Sequence, residues 1–158
     1  MVRPMAPSDK PAVMDLIKAT DMFTSAEIEV AEELIDVFLL SPDQKDYHVV
    51  VVETPEGGVG GYLTWGPAPL AEGVYDLYWM AVSPKQQGRS LGKELVRWLE
   101  GTVADLDGRL IIIETAGQPK YHPTRHFYLG LGYKEVARVP DFYKPGDDRI
   151  IYTKHIRQ

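Results

Sequence analysis

Two short apolar runs constrain the fold of this 158-residue chain more than any other feature. Segments 47–53 and 110–114 are rich in β-branched residues and almost continuously apolar, and both are too short for a typical helix. A strand with one face in water shows alternating polarity, so continuous apolar strands indicate a sheet that is covered on both faces. The chain therefore needs helices on both sides of a sheet.

Helical periodicity supplies those covering elements. Apolar residues recur at helical spacing in four segments: about 7–17, 25–40, 90–104 and 122–130. Five further segments have the composition of strands: 1–6, 59–65, 74–82, 133–139 and 149–155. We predict the order β-α-α-β-β-β-α-β-α-β-β, an α+β fold with one mixed sheet flanked by helices. The chain shows no repeat or long linker, which predicts a single domain over residues 1–158.

Composition excludes several functional classes. The net charge of −6 disfavours a nucleic-acid-binding protein, which would be basic. With no cysteine, the chain has no disulfide, thiolate zinc site or cysteine nucleophile, and its four histidines lack metal-ligand spacing. The apolar runs are too short to span a membrane, and the N-terminal segment does not resemble a signal peptide. We therefore expect a soluble, cytoplasmic protein with no metal.

A polar turn joins the strand at 74–82 to the helix at 90–104. It carries Gly88 and Gly92 beside the cations Arg89 and Lys93. The first N–H groups of a helix lack intrahelical partners and carry partial positive charge, so this turn suits a phosphate or diphosphate. It lacks the Gly-Lys-Ser/Thr of a Walker loop and the third glycine of a dinucleotide fingerprint. Taken alone, an ordinary glycine-containing loop remains an equal alternative.

Two motifs add a family resemblance. Segment 80–95, Met-Ala-Val-Ser-Pro-Lys-Gln-Gln-Gly-Arg-Ser-Leu-Gly-Lys-Glu-Leu, resembles the acetyl-CoA signature of the GCN5-related N-acetyltransferases (GNAT), Gln/Arg-x-x-Gly-x-Gly/Ala. Gln87 and Gly92 match its ends, whereas Ser90 replaces its central glycine. Segment 125–136, Arg-His-Phe-Tyr-Leu-Gly-Leu-Gly-Tyr-Lys-Glu-Val, resembles the family's Phe-Tyr-x-x-x-Gly-Phe run. The element order also agrees with the GNAT fold along the whole chain.

The resemblance implies acetyl-CoA as cosubstrate and a set of residues that bind it. In the family the pyrophosphate lies on the amides of the signature loop, here Gln87, Gly88, Arg89, Ser90, Leu91, Gly92 and Lys93. The pantetheine arm pairs with the preceding strand at Met80, Ala81 and Val82, where that strand splays from its parallel neighbour. Tyr121 stands where relatives have an asparagine that bonds the arm, and Arg125 is one helical turn before Tyr128, within reach of a CoA phosphate or free in solvent.

The resemblance also implies catalytic roles. Tyr128 matches the tyrosine that protonates the departing thiolate, although it also fits a core aromatic position, and the amide of Val82 or its neighbour would stabilise the oxyanion. Some relatives have a glutamate base near Asp76, which would act here through water, with Tyr78 ordering that water. Strict alternation along the strand predicts Asp76, Tyr78 and Val82 on one face. A solvated or capping role for Asp76 is equally consistent.

The last part of the chain predicts the acceptor side. Segment 139–152 resembles the acceptor hairpin of protein N-terminal acetyltransferases, and its Phe142 and Tyr143 would line the acceptor pocket. We interpret the following Asp147 and Asp148 as turn residues rather than ligands. Exposed aromatics in this segment would also be compatible with a homodimer.

The resulting hypothesis is an acetyl-CoA-dependent N-acetyltransferase that acts on a primary amine by direct attack. The acceptor is a small molecule or a peptide N-terminus, and the acidic chain suits a cationic amine. The main alternative is a non-catalytic acyl-CoA-binding sensor of the same fold. A phosphate-binding domain unrelated to CoA is a third possibility, but it does not explain the paired motifs.

Overall fold

The computed structural model describes residues 1–157, and its elements follow the predicted order. The strands are β1 (Val2–Pro4), β2 (His48–Glu53), β3 (Val59–Pro67), β4 (Val74–Val82), β5 (Leu110–Ala116), β6 (Lys134–Lys144) and β7 (Asp147–His155). The helices are α1 (Lys10–Ala19), α2 (Ser25–Leu40), α3 (Leu91–Asp105) and α4 (His122–Gly130). Short 3-10 turns occur at Pro7–Asp9, Pro84–Gln86 and Pro119–Tyr121. No helix within residues 1–157 is long and apolar enough to cross a membrane.

The seven strands form one sheet in the order β1-β2-β3-β4-β5-β7-β6. All neighbours are antiparallel except β4 and β5, which are parallel because α3 carries the chain back across the sheet between them. The predicted mixed sheet with flanking helices is therefore confirmed.

Each face of the sheet has its own apolar core. On the side that we call the α3 face, α3 and α4 pack on the sheet through residues such as Leu95, Leu99 and Tyr128. On the opposite side, the α1 face, α1 and α2 cover part of the sheet through Ile17 and Ile35. This explains the continuous apolar run in β2, because Val49 and Val51 face α1 while Val50 and Val52 face α3.

Helix α2 begins at Ser25, as predicted, and Thr24 is its N-cap: the Thr24 Oγ1 accepts a hydrogen bond from the Glu27 N–H at 3.2 Å. Glu27 Oε1 in turn accepts from the Thr24 N–H at 3.0 Å, which completes a capping box. This cap fixes the end of the loop between α1 and α2, which borders the candidate site.

The β6–β7 hairpin is longer than the sequence predicts. Residues 140–144 continue β6, and the connection is a tight turn in which Gly146 N–H donates to Asp141 Oδ1 at 2.7 Å. Because proline and aspartate are uncommon in strands, Pro140 and Asp141 suggested that β6 ends at residue 139. The β6–β7 pairing is irregular between Val139 and Lys144. As a result, Phe142 and Tyr143 lie on a strand rather than in a loop.

Candidate active site

A gap opens in the middle of the sheet between β4 and β5. Their parallel pairing runs only from Val74–Leu110 to Leu77–Ile113. Beyond Leu77, β4 pairs only with β3, and beyond Ile113, β5 pairs only with β7. The splayed strands predicted for this position are therefore present, and one edge of β4 is left with free backbone groups.

The free edge of β4 is formed by alternate residues. Ser83 N–H donates to Gly60 O on β3 at 2.8 Å. Because hydrogen bonding alternates along an antiparallel strand, Ala81 also faces β3, while Met80 and Val82 present their N–H and C=O groups to the gap. Backbone pairing of a ligand with this edge would therefore involve Met80 and Val82, and a cofactor contact by Ala81 stays a prediction.

A β-bulge at Tyr78 changes which side chains share a face. The β3–β4 register shifts there, so that Tyr78 has no residue opposite it. Leu77 and Val82 consequently both belong to the α3 face, although strict alternation would place them on opposite faces. Asp76, adjacent to Leu77, lies on the α1 face. The prediction that Asp76 and Val82 share one face of the sheet is therefore wrong. The side chains of Asp76 and Tyr78 do lie close enough to interact.

Asp76 occupies an environment that favours its protonated form. Burial raises the pKa of the Asp76 carboxyl, interaction with the Tyr78 hydroxyl opposes that increase, and the negative charge of Glu114 adds to it. Glu114 is the first residue of β5 beyond the last pair with β4, so the two carboxylates flank the closed end of the gap on the α1 face. A carboxyl with a raised pKa is a better proton acceptor when ionised.

Tyr78 lies next to a close contact between the backbone at Gly66 on β3 and the backbone at Asp46, just before β2. A β-carbon at Gly66 would lie 1.9 Å from the carbonyl oxygen of Asp46, so only glycine fits there. This contact brings Tyr47 edge-on to the Tyr78 ring, with 5.4 Å between centroids. Burial, followed by the charge of Asp76, raises the pKa of Tyr78, and its hydroxyl therefore stays protonated.

Residues 87–93, the predicted anion loop, lie between the end of β4 and the first turn of α3. Gly88 and Ser90 both adopt positive φ, at 84° and 61°, which folds the loop back toward the helix start. Among residues 1–157, no acceptor is bonded to the N–H groups of Gln87, Gly88 and Ser90, whereas Arg89 N–H donates to Gln86 O at 3.3 Å. Helix geometry leaves the N–H groups of residues 91–93 without intrahelical partners, and the first intrahelical bond is Glu94 N–H to Ser90 O at 3.0 Å.

Two side chains of this loop add little to its capacity to bind an anion. The Ser90 hydroxyl makes no capping hydrogen bond to α3. The Arg89 guanidinium pairs with Glu56 of the β2–β3 turn, at 2.8 and 3.0 Å, in an exposed ion pair. The loop can therefore hold an anion mainly through its backbone N–H groups and the helix dipole.

Tyr128 is buried on α4, in the apolar core of the α3 face. Its ring packs edge-on against Phe127 and Tyr133, with centroids 5.3 and 5.9 Å apart. A β-carbon at Gly92 would lie 3.4 Å from Phe127 Cζ, which shows how closely α4 approaches the start of α3. Burial raises the pKa of Tyr128, and no hydrogen bond or nearby charge contributes to that increase. Tyr128 is thus a protonated hydrogen-bond donor.

This arrangement has clear counterparts among known proteins. Residues 45–135 match the acetyltransferase (GNAT) domain family. A GNAT-family protein from Desulfovibrio desulfuricans is 38% identical, with 99% of each chain covered and a TM-score of 0.92. The chain belongs to the GNAT acetyltransferase family.

More distant structures share the GNAT fold. An aminoglycoside 6′-N-acetyltransferase in complex with coenzyme A is 20% identical, with 100% of this chain and 98% of that chain covered and a TM-score of 0.76. The ribosomal-protein-S18-alanine N-acetyltransferase from Escherichia coli is 18% identical, with coverage of 100% and 94% and a TM-score of 0.77. No curated protein matches the sequence. Identities this low support the fold and not a substrate.

Two residues predicted to bind acetyl-CoA in this GNAT protein have protein partners. Arg125 Nη1 donates to the carbonyl oxygens of Ala116 and Gln118, at 2.8 and 2.9 Å. The Tyr121 hydroxyl donates to Met22 O at 2.9 Å. Both side chains therefore brace the segment after β5, and cofactor contacts by either residue stay predictions that this geometry does not favour.

The predicted acceptor residues lie at the far end of the β6–β7 hairpin. Phe142 and Tyr143 are half exposed, and their rings pack edge-on with centroids 5.0 Å apart. The Arg149 guanidinium lies 5.0 Å from the Phe142 ring centroid and forms an ion pair with Glu114. Burial and then the charge of Glu114 raise the pKa of Tyr143, consistent with the position of this aromatic pair next to the Arg149–Glu114 ion pair.

Sequence reasoning did not single out Glu114 or Arg149. The one available signal was a charged residue ending the otherwise apolar strand at 110–114. Asp147, interpreted as a turn residue, is instead buried, and it accepts hydrogen bonds from Gly117 N–H at 3.1 Å and from Gln118 Nε2 at 2.6 Å. Within the described part of the chain, no group of three or more His, Asp or Glu side chains is arranged to hold a metal ion.

Proposed function

We propose that this GNAT protein transfers the acetyl group of acetyl-CoA to a primary amine by direct attack. The observation that carries the proposal is the gap between β4 and β5, which leaves one edge of β4 unpaired just before the free N–H groups of the anion loop. A gap of this kind accepts a long, narrow substrate whose anionic end lies at the start of α3.

The acyl donor would be held by the backbone. The pyrophosphate would accept hydrogen bonds from N–H groups of the loop 87–93, other than that of Arg89, and the pantetheine amides would pair with Met80 and Val82. The thioester oxygen would then lie near the Val82 N–H or its neighbour, which would stabilise the negative charge that develops during attack.

Acetyl transfer needs two proton movements. The neutral amine nitrogen attacks the thioester carbonyl carbon, the C–N bond forms, and the C–S bond breaks. Asp76, through a water ordered by Tyr78, accepts the proton that the amine loses, and Tyr128 gives a proton to the departing thiolate. A raised carboxyl pKa at Asp76 and a protonated phenol at Tyr128 both suit these roles.

The acceptor would approach from the α1 face. The anion loop, α3 and α4 lie on the other face, so a CoA molecule bound there leaves the α1 side of the gap to the second substrate. The carboxylates of Asp76 and Glu114 and the aromatic rings of Phe142 and Tyr143 border this side. Their charge favours a cationic amine, either a small molecule or a peptide N-terminus, and a cytoplasmic location and a homodimer stay predictions.

The proposal is tested by thiol release from acetyl-CoA with a panel of small amines and peptides. Tyr128→Phe should lower kcat about 100-fold or more, the usual loss when a general acid is removed, and should change the KM for acetyl-CoA little. Tyr133→Phe is the matched control, because its hydroxyl already donates to Glu100 at 3.0 Å and should not affect kcat.

The alternative function has a distinct outcome. A non-catalytic acyl-CoA sensor would bind CoA but release no thiol with any amine in the panel. Equal kcat values for wild type and Tyr128→Phe would instead show that another group protonates the thiolate.

A further inference from the structure

Tyr121 connects the two arms of the gap on the α1 face. Its hydroxyl donates to the carbonyl oxygen of Met22 at 2.9 Å, across 99 positions of sequence. Lys120 Nζ donates to the same oxygen at 3.0 Å. Met22 belongs to the loop between α1 and α2, whereas Tyr121 follows β5, so this contact joins segments on opposite sides of the gap.

The loop that carries Met22 is anchored to β4. The Phe23 ring packs edge-on against Trp79, with centroids 5.4 Å apart. Trp79 lies on the α1 face of β4, immediately before Met80, whose backbone faces the gap. A shift of this loop would therefore change the shape of the gap on the side that the acceptor uses.

The segment that carries Tyr121 is firmly held from the β5 side. Arg125 on α4 donates to Ala116 O and Gln118 O, and buried Asp147 on β7 accepts from Gly117 N–H and Gln118 Nε2. Two different elements thus fix three consecutive residues just before the 3-10 turn. Because its base is rigid, the Tyr121 hydroxyl can hold the more exposed α1–α2 loop rather than move with it.

The Tyr121 hydroxyl is suited to a permanent structural bond. The side chain is half-buried, and burial, followed by the negative charge of Glu27, raises the pKa of Tyr121 to about 12. It therefore remains a hydrogen-bond donor at neutral pH. Lys120, in contrast, is exposed, and a solvated ammonium contributes little to holding a loop.

We propose that Tyr121 is a positioning residue that fixes the α1–α2 loop across the gap through Met22 and thereby determines affinity for the acceptor amine. This inference rests on the proposed acetyltransferase function and adds to it. It assigns Tyr121 to the acceptor side of the site rather than to the pantetheine arm.

Tyr121→Phe tests the role, since it removes only the hydroxyl. Losing one partly buried hydrogen bond should raise the KM for the acceptor about three- to tenfold, with kcat and the KM for acetyl-CoA within about twofold of wild type. Lys120→Met, which removes the exposed donor to the same carbonyl, is the matched control and should leave all three constants within about twofold. A higher KM for acetyl-CoA, or an unchanged KM for the acceptor, would overturn the proposal.

Hydrogen exchange supplies a readout that needs no turnover. Amides of residues 20–24 should exchange about three- to tenfold faster in Tyr121→Phe than in wild type or Lys120→Met, because the loop has lost its tether. Unchanged exchange would refute the tether whatever the kinetics show. If wild type acetylates no amine, the proposed function fails, and the exchange rates alone then decide whether Tyr121 holds the loop.

Discussion

Replacing Ser90 with glycine should leave CoA binding intact and make the protein more stable. Ser90 adopts φ 61° and ψ 21°, a left-handed conformation, immediately before α3. An L-residue in this region is strained by roughly 1–2 kcal/mol relative to its right-handed conformation, and glycine is free of this strain. Glycine also has more freedom in the unfolded chain, which offsets about 0.4–1 kcal/mol of the gain.

The net stabilisation expected for Ser90→Gly is therefore about 1 kcal/mol, or roughly 2–4 °C in Tm for a domain of this size. CoA affinity should be equal or slightly higher, because the N–H of residue 90 is kept and the hydroxyl makes no capping bond. Ser90→Ala is the matched control. It removes the hydroxyl but keeps the strained φ, so both Tm and affinity should stay close to wild type.

Scanning calorimetry and titration calorimetry with CoA measure the two quantities. A large loss of CoA affinity in both variants would show that the hydroxyl is itself a ligand, which would refute binding through the backbone alone. A lower Tm for Ser90→Gly would show instead that the left-handed conformation carries no strain, and the explanation from φ would be wrong.

Two further predictions concern residues on the α1 face. If Asp76 is the base, activity requires its ionised form, so kcat/KM should fall as pH drops through a pKa that lies above the ordinary carboxyl value of about 3.9. Asp76→Asn should lower kcat/KM and remove this acidic limb from the pH–rate profile, whereas an unchanged profile would assign the base elsewhere. Gly66→Ala should destabilise the fold by about 3 kcal/mol or more, since its β-carbon would overlap the Asp46 carbonyl oxygen. Urea unfolding measures this loss, and Gly101→Ala, at a helical position where a β-carbon meets no atom within 4 Å, is the neutral or stabilising control.

Local patterns were sufficient for much of the architecture. The continuous apolar runs around Val50 and Ile112 predicted a sheet covered on both faces, and the order of strands and helices is confirmed. These features depend on residues that are close in the chain, because the spacing of apolar residues within a strand or helix indicates which of its faces is buried. The position of residues 87–93 at the start of α3 and of Tyr128 on α4 was likewise predictable from short motifs, while anion binding and proton transfer stay predictions.

Long-range contacts decided the rest. Strict alternation failed along β4 because a bulge at Tyr78 depends on how β3 pairs with it, and pairing register is not visible in one strand alone. Tyr121 and Arg125 carry donors that many acceptors could satisfy, and only the folded chain brings them to Met22, Ala116 and Gln118. The sequence by itself thus determined the elements, the family and the position of the loop that precedes α3. Only the tertiary structure decided which side chains meet across the gap, because those contacts join residues far apart in the chain.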